Sequence, residues 1–252
     1  MNSKQNALTS KTYWEAYYKN NPVDRAHIRN VCGFYDEFWD QFFSEAGNDD
    51  TLIEIGGFPG RYLAYLSSKY KLNPICLDYN SDVDKIQSAF ATMGVANYQI
   101  IQEDFLEFKP KQQYDYVMSN GFVEHFKNFD DILDLHMPYL KSRGKLLIMI
   151  PNMRGYIRWY KWLVDYQNLK IHNRKCMSLN VFKAFSIRNN LNILHLGYFG
   201  YFPYNVHQSL NSFQKLIYNF HRILFKKGLN KIVYKYPSSL FSSTIIAIFE
   251  KN

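Results

Sequence analysis

"TLIEIGGFPGRYLAYLS", residues 51–67, opens as an apolar strand, turns on three glycines and a proline, and runs on as a helix. That order of elements suits a nucleotide site. The free N–H groups and positive dipole end of a helix meet the ligand there, and glycine admits a close backbone approach. The spacing then narrows the ligand. A dinucleotide turn wants glycines at the first, third and sixth positions of G-x-G-x-x-G. Counted from Gly56, the third and sixth positions are Phe58 and Arg61; counted from Gly57, they are Pro59 and Tyr62. Glu54, inside the strand end, would face a cation well and a pyrophosphate badly. The turn therefore favours a nucleoside with a positive or zwitterionic arm.

Outward from this turn the chain alternates. "PICLDY" is a strand, "SDVDKIQSAFATMG" a helix capped by Ser81 or Asp82, and "YQIIQ" and "YDYVMSN" are strands. "FDDILDLHMPYL" is a helix and "GKLLIMIP" a strand. Short strands separated by helices predict a doubly wound, mostly parallel α/β sheet, because parallel strands need crossover helices. "TYWEAYYKN" and "AHIRNVCGFYDEFWDQFFSEAG" read as two N-terminal helices, the second ending near Gly47. Beyond Pro151, "RGYIRWYKWLVDYQNL" and "LNVFKAFSIRNN" read as helices. "LNILHLGYF" and "STIIAIFEK" read as strands that pair on the sheet edge, for seven strands in all. The expectation is one domain over residues 1–252: N-terminal helices (1–50), a cofactor-binding core (51–151), and a substrate lid or insertion with a terminal hairpin (152–252).

The motif Glu54-Ile55-Gly56, with Gly57 and then Gly60, resembles the acidic-x-Gly-x-Gly-x-Gly turn of class I S-adenosylmethionine-dependent methyltransferases. The resemblance covers residues 50 to 152 and the final hairpin, and Phe58 stands where the family has its middle glycine. It implies a Rossmann-like methyltransferase fold and S-adenosyl-L-methionine as cofactor. The family's ribose-binding acid at the end of the second strand corresponds to Asp78 of "ICLDYN", with Tyr79 beside it. Asp104 of "IIQEDFLEF" corresponds to the acid near the adenine amino group, with Phe105 to pack on the ring. Asn120 and Gly121 of "YDYVMSNGFVEHF" fall where the family passes under the methionine arm. "KTYWEAYY" resembles a helix that closes over the methionine carboxylate, which makes Tyr13 and Trp14 cofactor contacts. From the residues alone, three alternatives stand: Glu54 paired with Arg61, and Asp78 or Asp104 serving as a helix cap.

Methyl transfer from a sulfonium is an in-line displacement that needs alignment, and a base if the acceptor is a hydroxyl. His125, at the "VEH" corner where related methyltransferases place an active-site His, is the candidate base, with Glu124 to orient it. His172, His195, His207 and His221 are further imidazoles able to approach from the lid, and "YFPYNVHQ" sits where a substrate loop belongs. Cys32, Cys76 and Cys176 have no metal-ligand or redox spacing, so no metal is expected.

Composition bounds the acceptor and the compartment. An apolar fraction of 47% excludes a disordered chain. Residues 1–150 carry 15 basic and 20 acidic side chains, whereas residues 151–252 carry 15 basic and only Asp165 and Glu250. That asymmetry points to an anionic partner, and Arg154, Arg158, Lys161, Arg174 and Lys175 stand among aromatic residues suited to sugar rings. The leading expectation is O-methylation of an anionic sugar or glycan precursor. Two alternatives are methylation of a lipid or quinone precursor at the membrane surface, and a non-catalytic nucleic-acid-binding protein on the same fold. The latter is disfavoured because "SNGFVEHF" lacks the proline-rich loop of base-nitrogen methyltransferases. "FQKLIYNFHRILFKKG" is a basic amphipathic helix; most such helices bury their apolar stripe in the fold, and burial is the expectation here. With no apolar signal core and no run of about 18 apolar residues, a cytoplasmic location is expected, with contact at the inner membrane face kept as an option.

Overall fold

The computed structural model describes residues 6–18 and 23–252. The Lys19 and Asn20 end of the first expected helix lies outside them. That helix, α1, spans Lys11–Tyr18. The second expected helix is two. Asp24 caps α2 (Arg25–Gly33) by accepting from the His27 N–H at 2.9 Å, and α3 spans Asp36–Phe42. The break has a clear cause: the Cys32 carbonyl accepts from the Tyr35 N–H and from the buried Trp39 indole at 2.8 Å, so the α-helical ladder stops there.

Strands β1 (Thr51–Ile55), β2 (Asn73–Leu77), β3 (Gln99–Ile101), β4 (Tyr114–Asn120) and β5 (Leu140–Pro151) are parallel. Between them lie α4 (Arg61–Tyr70), α5 (Val83–Met93) and α6 (Phe129–Asp134). The expected hairpin forms from β6 (Leu191–Phe199) and β7 (Thr244–Lys251), with β7 antiparallel to both β5 and β6. The order is β3-β2-β1-β4-β5-β7-β6. The inner strands β2, β1 and β4, together with the second half of β5, are apolar and largely buried, as two helix-covered faces require, while β3 forms the sheet edge. One core packs α2, α3, α4 and α5 on one face, and the other packs α6 and α9 (Leu179–Arg188) on the opposite face.

After β5 the chain forms α7 (Gly155–Val164) and α8 (Tyr166–Lys170) where the sequence reads as one helix. Asp165 divides them. Its buried carboxylate receives Lys161 Nζ at 3.0 Å, the His207 N–H at 3.0 Å and Asn168 Nδ2 at 3.1 Å. Burial alone would raise the Asp165 pKa, but the His207 hydrogen bonds and the Lys161 charge hold it below the usual carboxylate range.

The long basic helix, α10 (Ser212–Leu224), continues through a π turn at Phe225–Leu229 into α11 (Asn230–Lys235). Its expected burial is corrected. Phe213, Leu216, Phe220 and Ile223 are exposed, and His221 is the buried residue of the helix. Polar tethers turn it this way. His221 Nδ1–H donates to the Ile217 carbonyl, the Tyr156 hydroxyl lies 2.8 Å from Nε2, and Gln214 donates to the Leu163 carbonyl. No helix among the described residues is long and apolar enough to cross a membrane.

Candidate active site

The sheet order reverses at β1, whose neighbours β2 and β4 leave it on opposite sides, and open α/β sheets bind ligands at that switch point beyond the strand carboxyl ends. The glycine turn closes there, with the Gly60 N–H donating to the Gly57 carbonyl at 2.6 Å. Gly56 sits at φ +69°, and a Cβ on it would meet the Phe122 ring at 2.4 Å. Gly60, at φ +86°, caps α4 where a Cβ would press on Ile86 of α5. Phe58, in place of the family's middle glycine, leaves the turn intact: its N–H donates to Asp78 Oδ2 at 3.1 Å, tying the turn to the end of β2.

Two continuous lobes open at this edge. The larger, about 630 Å³, is lined by Asp78, Tyr79, Asp104, Phe105, Leu77 and Phe122 among others. The smaller, about 230 Å³, is lined by Glu54, Arg61, Glu124, His125, His172 and Tyr17 among others. Gly56, Asn120, Gly121, Trp14 and His125 line both. Most expected site residues therefore gather in one crevice; Gly57 lines the smaller lobe only. Tyr13 does not reach either lobe; it packs on Trp14 and Tyr17 at 5.0 and 6.1 Å, and Trp14 takes the place expected for it. His195, His207 and His221 are also elsewhere, held against Phe38, Asp165 and Tyr156. A shallower concavity of about 690 Å³, near Arg29 and Tyr65, lies away from this edge, and its Asp36 is paired with Lys69 at 3.1 Å.

Burial sets the electrostatics. Glu54 is buried and its Oε2 has no hydrogen-bond partner. Desolvation pushes its pKa up to about 8, against the opposing pull of Arg61 and the Leu63 N–H. No ion pair within 4.0 Å joins Glu54 to Arg61 among the described residues, and Arg61 Nε is itself buried without a partner. Asp78, desolvated to about 6, accepts from the N–H groups of Asn80 and Phe58, while Asp82 caps α5. Asp104 accepts the Leu106 N–H at 2.9 Å and still lines the larger lobe. Phe105 packs in the core on Phe122, His136 and Tyr139 and lines the larger lobe.

At the far end stand Glu124, His125 and His172, with one ligating atom from each within 4.8 Å of the others. His125 Nδ1–H donates to the Ile171 carbonyl at 3.0 Å and His172 Nδ1–H to the Asn168 carbonyl at 2.6 Å, which leaves Nε2 on each ring to act. His125 Nε2 is 3.6 Å from Glu124 Oε1, and Glu124 Oε2 is buried without a partner. Desolvation lowers His125 to about 3 and His172 to about 4, and raises Glu124 to about 8. Two imidazoles and a carboxylate at this spacing can hold a proton or a divalent cation, a donor set the sequence spacing did not reveal.

A family model described as a methyltransferase domain matches residues 25–193, well over half of the chain. The chain belongs to the methyltransferase domain family. A solved geranyl diphosphate C-methyltransferase from Streptomyces coelicolor A3(2) superposes with a TM-score of 0.62 at 14% identity, covering 97% of this chain and 99% of that one. A SAM-dependent methyltransferase from Archaeoglobus fulgidus gives 0.59 at 17% identity, over 96% and 100%. A probable (S)-tetrahydroprotoberberine N-methyltransferase from Papaver bracteatum is 24% identical over 129 residues, 48% of this chain and 36% of the relative. The chain thus spans little more than a third of the curated relative it matches. Solved neighbours of this fold, an N-methyltransferase from Bradyrhizobium japonicum WM9 and the Streptomyces C-methyltransferase, are held with S-adenosyl-L-homocysteine. The crevice of this chain fits S-adenosylmethionine: an orphaned buried carboxylate at one end, an acid and apolar walls at the other.

Proposed function

We propose that this methyltransferase O-methylates a hydroxyl of a small or glycan-type acceptor bearing negative charge. The cofactor supplies an electrophilic methyl on a sulfonium; the rest falls to the chain's own residues. Asp78 has lone pairs left after its two backbone hydrogen bonds, and these would take the ribose hydroxyls. Asp104 and Phe105 would bound the adenine. Glu54 would accept the ammonium, and Arg61, a residue the sequence reading left as a bare alternative partner for Glu54, would meet the methionine carboxylate from the same lobe.

The observation that carries the O-methylation reading is the Glu124–His125 pair at the inner end of the smaller lobe. A neutral amine acceptor needs no base, whereas a hydroxyl must lose its proton during transfer. His125 Nε2, held near 3 by burial, would gain the basicity to take that proton only beside an ionised Glu124, whose carboxylate would balance the imidazolium. Because burial keeps Glu124 protonated up to about 8, the pair becomes competent as pH rises toward that value. His172 sits over His125 with ring centroids 4.6 Å apart. Trp14 and Tyr17 form an aromatic rim able to lie against sugar faces. Arg174 and Lys175 follow His172 in the chain and remain for an acidic group, whereas Lys161 is spent on Asp165 and Arg154 donates to the Met177 carbonyl.

The test is transfer from labelled S-adenosylmethionine to a panel of uronic acids, sugar phosphates, nucleotide sugars and amines, with products read by mass spectrometry and NMR. An O-methyl ether on an acidic sugar is expected. A methyl on nitrogen or carbon with no ether formed would overturn the reading.

A further inference from the structure

We propose that the outer face of α10, together with the exposed edge of α7, docks onto an anionic lipid bilayer. Four apolar side chains of α10 stand in solvent: Phe213, Leu216, Phe220 and Ile223 are 66%, 68%, 60% and 51% exposed. At about 100° per residue they share one arc of the helix, and the tethered, buried His221 lies off that arc. α7, packed beside α10, adds Trp159 and Trp162, both about half exposed. An exposed apolar helix face of this kind is rare on a protein that meets only water.

Charge names the occupant. Residues 212–241 carry Lys215, Arg222, Lys226, Lys227, Lys231 and Lys235 and not one Asp or Glu. All six are exposed, so the apolar arc has a basic border. A second copy of the chain would set two such borders against each other with nothing acidic to meet them. Nucleic acid would use the cations but not the aliphatic side chains of Leu216 and Ile223. An anionic bilayer uses both: headgroups meet the lysines, acyl chains take the aliphatic residues, and Trp159 and Trp162 suit the interface between.

The face is placed for work at a membrane. α7 begins four residues after Pro151, which lines the smaller lobe, so the docking surface adjoins the carboxyl edge of the sheet where the crevice opens. Docked there, the crevice would meet an acceptor carried on a lipid. This last step rests on the acceptor reading above; the docking itself does not.

Co-flotation of the whole protein with phosphatidylcholine vesicles, with and without roughly 30% phosphatidylglycerol, separates the outcomes. Binding to the anionic vesicles at low salt, weakening as salt is added, is expected. The double variant Leu216→Glu/Phe220→Glu should lose about tenfold or more of that binding while its melting temperature and S-adenosylmethionine affinity stay unchanged. The proposal is overturned if wild type stays unbound at low salt, if neutral vesicles bind it equally, or if the variant floats like wild type. A dimer by light scattering, or a nucleic-acid shift, without vesicle binding would assign the face to that partner instead and overturn it as well. Acceptor methylation in the same preparation is read separately, so failure of docking leaves the acceptor reading standing.

Discussion

Cofactor binding should release a proton from Glu54. In the free protein this carboxyl is buried, lacks a partner at Oε2, and has a pKa pushed up to about 8 by desolvation. At pH 7 it is therefore roughly 90% protonated. An ammonium in hydrogen-bond reach favours the ionised form, so binding should expel about 0.9 proton at that pH. Affinity should rise about tenfold per pH unit between 6 and 7 and level off above 8. Asp78, raised to about 6, is mostly ionised at pH 7 and adds little there. Calorimetry in phosphate and in Tris, buffers of different ionisation enthalpy, reads the proton directly. Glu54→Gln should bind more weakly and show little buffer dependence, and the difference from wild type removes any proton contributed by the ligand itself. Equal apparent enthalpies in the two buffers for wild type, or the same release from Glu54→Gln, would refute this assignment of the ammonium.

Three further outcomes follow from the same geometry. Asp78→Ala should weaken S-adenosylmethionine binding by about 1.5 to 3 kcal/mol, the scale of hydrogen bonds to a charged group, and an unchanged Kd would contradict the ribose role. Turnover should increase with pH up to about 8 as Glu124 ionises; Glu124→Gln should flatten that profile, and His125→Ala should lower kcat roughly 100-fold with little change in cofactor affinity. His136 is buried, donates Nδ1–H to the Ile132 carbonyl, and is depressed to about 4 by desolvation. Its folded value lies below its unfolded value, so stability is intact above pH 6.5 and falls as the unfolded chain takes up the proton. By pH 4 this one group should cost about 3 kcal/mol, on top of similar losses at His125 and His172. Urea titrations at pH 7 and 4.5 would show the drop, and equal midpoints would count against buried neutral imidazoles.

The sheet was readable in the chain because β1 to β4 and the GKLLIMIP part of β5 are short, mostly apolar runs set apart by helices and turns, a period no tertiary contact needed to supply, whereas the polar start of β5 at Leu140–Arg143 was not. Glu54, Gly56, Asp78 and Asn120 were readable for a related reason: each sits at a strand end, and strand ends converge in this fold. What was hidden depends on partners far along the chain. The break between α2 and α3 hinges on the Trp39 indole taking the Cys32 carbonyl. The break at Asp165 hinges on His207, 42 residues away. His172 joins His125 only because the Ile171 carbonyl accepts its Nδ1–H, and nothing in local spacing announces that. α10 carried a plain amphipathic period, but period alone fixes a stripe without saying which side faces the protein. The buried His221 and its Tyr156 contact decided that, and turned the greasy side outward.

The central claim is that the carboxylates of Glu54 and Asp78 grip opposite ends of one adenosyl cofactor. A crystal structure with S-adenosyl-L-homocysteine tests it most directly. The ribose hydroxyls should lie on Asp78, the amino group on Glu54, and the sulfur should face the Glu124–His125 pair. A cofactor bound away from either carboxylate, or a crevice closed against it, would contradict the account.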